Sequence, residues 1–124
     1  MTASEYVTLD DLSHIEKFII HMAIRESPKN SETFTVNLTI VLNACQNRNT
    51  CPFIIALNRD AARMRIHRAA ERMQRGGIAT IDKIGRLTWI IIQRRDMLEL
   101  VRATPRALTL EQIEGFVHSR GKRP

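Results

Sequence analysis

A chain of 124 residues with 44% hydrophobic and 26% charged side chains is long enough to bury one core and too apolar to stay disordered. Its net charge of +6 excludes neither solubility nor a polyanionic partner, and no apolar run approaches the roughly 18 residues of a membrane helix. Cys45 and Cys51 are the only cysteines, too few for a disulfide-stapled scaffold, and reduced thiols are expected.

Residues 1–7 read as a mobile lead, and MTASEYVTLDD has neither the basic region nor the apolar stretch of a signal peptide, so a cytoplasmic location is expected. Thr8 with Asp11 forms a capping-box pattern, with Asp10 and Asp11 where a helix N-terminus favours negative charge. From Leu9, the residues Leu12, Ile15, Ile19, Met22 and Ala23 recur at helical spacing, and Phe18, Ile20 and Ile24 widen the apolar surface. This predicts a long helix ending near Glu26, because Pro28 disfavours helix in the residue before it. ESPKNSE then reads as a loop. In residues 33–57, FTV fits a short strand and Asn37 a cap for a helix LTIVLNACQN, with Leu38, Val41, Leu42 and Cys45 on one face. The β-branched Thr35, Val36, Thr39, Ile40 and Val41 also permit a longer strand through Leu42. NRNTCPF breaks whatever precedes it, and PFIIAL has room for an extra helical turn.

The next stretch, NRDAARMRIHRAAERMQRGG, is a basic amphipathic helix. Asn58 is its N-cap and Gly76-Gly77 its stop. Ala62, Ile66, Ala69, Ala70 and Met73 fall within about 100° of one another on a helical wheel, while Arg65, Arg68, Arg72 and Arg75 gather within about 80° on the other side. Between Arg59 and Arg75 there are six arginines and no lysine, a choice that suits phosphate and base recognition. Strand Ile78–Asp82, turn Lys83-Ile84-Gly85-Arg86 and strand Leu87–Gln93 follow as a hairpin, with Gly85 permitting a positive φ.

Basic helix, glycine stop and charged hairpin, in that order over residues 58–93, resemble the second half of a winged helix-turn-helix domain. The resemblance implies an α+β, mainly helical fold over residues 8–103, with the hairpin as the wing and helices flanking it at both ends. It implies double-stranded DNA as the partner, with Asn58, Arg59, Arg65 and Arg68 at the reading end of the helix, near Ala61 and Met64. Arg72 and Arg75 would lie near phosphates, and Lys83 and Arg86 at the wing tip would grip the backbone. About ten residues separate Asn47 from Asn58, more than the few of an ordinary turn in that motif.

RRDMLELVRA reads as a short helix ending before Pro105. Thr109 with Gln112 makes a second capping box for LEQIEGFVHS, a C-terminal helix in residues 104–119 followed by a basic tail, 120–124. Leu110, Ile113, Phe116 and Val117 form its apolar stripe. They could pair two subunits as a homodimer or fold back onto the first helix, and the expectation leans to the dimer.

The charge is unevenly placed. Residues 1–57 carry four basic and six acidic side chains, whereas residues 58–97 carry ten and four. That concentration favours nucleic acid. Chemistry is poorly served by contrast: there is no phosphate-binding glycine loop, nucleophile elbow or clustered histidines, and the two cysteines make a poor zinc arrangement. No enzyme activity, cofactor or metal is expected. The expectation is a sequence-specific DNA-binding protein, a small transcriptional regulator of plasmid or phage type. The rivals are a winged-helix protein-interaction module and a non-specific nucleic-acid binder accessory to replication.

Overall fold

The computed structural model describes residues 6–46 and 58–120. The expected NRNTCPF break, the PFIIAL turn and Cys51 lie outside the described residues. The chain runs through α1 (His14–Glu26), β1 (Thr33–Asn37), α2 (Leu38–Cys45), α3 (Arg59–Arg75), β2 (Thr80–Ile84), β3 (Leu87–Gln93), α4 (Arg94–Ala103) and α5 (Leu110–Arg120). It is an α+β architecture, mainly helical, around one three-stranded antiparallel sheet.

The start of α1 differs from expectation. Thr8 and Asp11 do form a capping box, but it opens only a short 3-10 turn, Leu9–Asp11, which Leu12 ends in extended conformation. The helix begins afresh after Ser13, whose hydroxyl accepts from the Glu16 N–H at 3.2 Å while the Glu16 carboxylate accepts from the Ser13 N–H at 2.7 Å. Two capping boxes five residues apart thus split what periodicity joins. Tyr6, expected in a mobile lead, is buried against Gly76: a Cβ at Gly76 would stand 2.3 Å from the Tyr6 ring. Gly77 has the different task of taking the left-handed conformation, φ 82°. The Ile78 N–H then reaches the Met73 carbonyl and the Gly77 N–H that of Gln74, a Schellman close to α3.

β3 is the central strand, with β1 and β2 on its two sides. The expected wing is therefore two strands of a larger sheet rather than a free ribbon. Its first strand starts two residues later than expected, because Ile78 and Ala79 are buried in the approach from α3. Val36 and Ile81 both stand opposite Ile90, and Phe34 stands opposite Ile92; these form the inner face. Against it pack Ile19, Met22 and Ala23 of α1, Val41 and Leu42 of α2, and Ile66 and Met73 of α3. The free edge of β1 is blunted by Ser27, whose hydroxyl accepts from the Thr35 N–H at 2.9 Å. Asn37 caps α2 through the Ile40 N–H at 2.9 Å, which resolves residues 38–45 as helix rather than continued strand.

At the C-terminus most of the apolar stripe of α5 packs within the chain itself. Leu110 and Val117 are buried in this chain's own core and Ile113 is packed against it, leaving only Phe116 of the four exposed. Glu114, on the same helix, is itself buried. It pairs with Arg94 at the head of α4 and accepts from the Asn30 N–H at 2.9 Å. Burial pushes the Glu114 carboxyl up, but the Arg94 hydrogen bond and charge and the Asn30 N–H more than offset it, leaving it below the usual glutamate value. Arg94 in turn stacks over the Phe34 ring at 5.6 Å. Burying Leu110 and Val117 contributes roughly 1.5–3 kcal/mol each.

Candidate functional site

The site is built on α3. Asn58 caps it, its side chain accepting from the Ala61 N–H at 2.8 Å, and Asp60 sits in the first turn. Ala62, Ile66, Ala70 and Met73 are buried, so one side of the helix is fixed to the core. Small alanines on that side let the helix lie close to its neighbours. The remaining side faces solvent.

The arginines divide into two sorts. Arg65, Arg68 and Arg75 are exposed, and so is Arg63, which the wheel argument passed over because it stands on the opposite flank from the other four. Arg59 and Arg72 are tied down. Arg59 donates to Asn43 at 2.9 Å and to Gln46 at 3.0 Å, joining the start of α3 to the end of α2. Arg72 lies 2.7 Å from the Glu16 carboxylate and stacks 4.8 Å over the Tyr6 ring. The Tyr6 hydroxyl donates to the other Glu16 oxygen. A buried carboxylate therefore anchors Arg72, and its expected role near phosphate becomes first of all a structural one. The signal was present in the sequence: Glu16 falls among the apolar positions of α1, where an acid demands a partner.

The hairpin is clamped beside this helix. The Gln74 side-chain oxygen accepts from the Ile81 N–H at 2.7 Å, tying β2 to the last turn of α3. Lys83 and Arg86 are exposed at its tip. Between helix and hairpin runs an open cleft of about 290 Å³, lined by Arg63, Met64, His67 and Arg68 of α3 together with Leu38 and Thr88. Glu71, also on its wall, holds His67 at 3.3 Å. Exposed guanidinium groups, an exposed Met64 on the helix and a cationic hairpin tip make a surface with both charge and relief. Among the described residues no group of three or more His, Cys, Asp or Glu is placed to hold a metal ion, and no helix is long and apolar enough to cross a membrane.

No protein-family model, curated protein or solved structure matches this chain.

Proposed function

We propose that this chain is a sequence-specific double-stranded DNA-binding protein of the winged helix-turn-helix kind, acting as a small transcriptional regulator. The observation that carries the reading is the rigid, doubly anchored α3 with Arg63, Arg65, Arg68 and Arg75 exposed along it, next to a hairpin ending in Lys83 and Arg86. The helix-strand-helix-helix-hairpin order, with β1 laid beside the hairpin, supports it. A major groove admits an α-helix, and arginine pairs bidentately with guanine. In this reading the first half of α3 enters the groove, with Arg65 and Arg68 reading base edges. Arg75 and the hairpin tip meet phosphates, fixing register and adding affinity without sequence information. Arg59 and Arg72 hold the helix at its angle.

Selection of bound duplexes from a random pool, followed by footprinting, tests this. Enrichment of a defined motif supports the proposal. Binding with no enrichment demotes the protein to a non-specific nucleic-acid binder, and no binding at moderate salt leaves the face for an acidic protein.

A further inference from the structure

The tip of the hairpin carries more than charge. Ile84 and Leu87 are its last cross-strand pair, and they are 60% and 40% exposed. Opposed residues of antiparallel strands share a face, so the two side chains stand together at the end of the ribbon. Only Gly85 and Arg86 lie between them. Gly85 has φ 63° and Arg86 is not among the positive-φ residues, the sign pattern of a type II′ turn, which is tight and matched to strand twist. The turn is tight, and β3 is held from its other side by β1 from Trp89 onward. Water would favour polar residues here. Two large aliphatics stand here instead, with the exposed Arg86 in the turn and the exposed Lys83 on the other face of the ribbon opposite Thr88.

We infer that Ile84 and Leu87 form a wedge that enters the DNA minor groove and partly unstacks a base step, bending the duplex, while Lys83 and Arg86 grip the phosphates on either side. This rests on the DNA-binding reading above. Apolar side chains inserted between base steps kink duplexes by roughly 20–90°, and proteins that do so surround the wedge with cations. Two cations at the same end of the ribbon select a polyanion over an apolar protein partner. Asp82 shares the face of Ile84 but stands two pairs further back, opposite Trp89. At about 3.3 Å per residue its carboxylate is set roughly 7 Å behind the wedge, which limits insertion to the tip.

The test uses the duplex recovered by selection, labelled with donor and acceptor dyes at its two ends, and the full chain. The parent is expected to raise energy transfer on binding, as a bend brings the ends together. The double variant Ile84→Thr, Leu87→Thr keeps β-branched or strand-compatible side chains; it is expected to bind and to protect the same footprint but to lose most of the rise. Lys83→Ala is expected to weaken binding while leaving the rise per bound complex unchanged. A parent complex with no rise, or a double variant that bends DNA like the parent, overturns the wedge while leaving DNA binding intact. Failure of any duplex to bind overturns the DNA reading itself. Sedimentation of the parent and double variant without DNA covers the remaining occupant: a parent dimer lost in the variant would assign the pair to a second copy of this chain and refute the wedge. Thermal melting of both proteins separates loss of the bend from loss of the hairpin; a variant that no longer folds is replaced by Ile84→Val, Leu87→Val, whose shorter side chains predict a reduced bend.

Discussion

Arginine does two opposite jobs in two regions of this molecule. At the α4–α5 corner, Arg94 is 13% exposed and paired with the buried Glu114, and around the α1–α3 contact Arg72 covers the buried Glu16. On the two exposed flanks of α3 and at the hairpin tip, Arg63, Arg65, Arg68, Arg75 and Arg86 lie in water, with Lys83 near the tip. The first group exists because acids inside a core must be paired, and its worth shows when one partner is removed. The second group adds little to folding, since isolated surface charges contribute at most about 1 kcal/mol. Residues of one type therefore divide into those that hold buried acids and those left in water, which the proposed function uses for recognition.

The sharpest way to break this comparison is at Arg94. Arg94→Ala leaves Glu114 buried without its cation and is expected to cost about 3–5 kcal/mol, read as a fall in the urea midpoint and melting temperature. The same pair sets an acid limit. Glu114 has its carboxyl below the usual value in the folded chain, so the unfolded chain binds the proton more readily. Its contribution is complete above the ordinary glutamate range and is lost as pH falls through the lower folded value. Unfolding monitored between neutral pH and strong acid should show that loss in the parent and lack it in Glu114→Gln.

Next in size is Glu16→Ala, expected to cost roughly 2–3 kcal/mol. It removes both the α1 capping box and the anchor of Arg72, which is exposed enough to rehydrate. If α3 is held in place for DNA by this anchor, affinity for the selected duplex also falls in the folded variant. An unchanged affinity would confine Glu16 to stability. Arg65→Ala and Arg68→Ala should do the reverse. Each is expected to lose about 1–3 kcal/mol of discrimination at one base position while unfolding stability stays within about 0.5 kcal/mol of the parent. Competition binding against single-base variants of the selected site reads the first quantity and chemical denaturation the second. The smallest effect is expected from Lys83→Ala, which should weaken all sequences about equally and lower the salt slope by about one.

The fold was legible where local chemistry and periodicity agreed. Asn37 with the Leu38, Val41, Leu42 and Cys45 face marked α2, and Thr109 with Gln112 marked the start of α5; both caps are made as hydrogen bonds. The hairpin of residues 78–93 was likewise legible as two strands about Gly85, although which face of β3 is inner, that of Ile90 and Ile92, is set by the packing. The fold was less legible where two local signals competed. Apolar spacing runs through Leu12, yet Ser13 and Glu16 outcompete the first box, because Glu16 is also paid a buried ion pair by Arg72. That partner lies 56 residues away, beyond what any local pattern reports. The same limit applies to α5: the packing of Leu110 and Val117 within the chain goes with a Glu114–Arg94 pair between residues 20 positions apart, which no local pattern reports. For the candidate site, the helix and the hairpin tip could be read directly, whereas the division of its arginines into anchored and exposed could not.

What remains to be measured is whether the exposed cations of α3 and the hairpin tip meet a nucleic-acid backbone and its bases. It is tested most directly by the affinity of the full chain for the selected duplex measured from 50 to 200 mM salt. With Arg75, Lys83 and Arg86 on phosphates, a loss of about fortyfold is expected across that range, shallower by about one contact in Lys83→Ala. An affinity that stays level with salt, or a slope that Lys83→Ala leaves unaltered together with Arg75→Ala and Arg86→Ala, would contradict it.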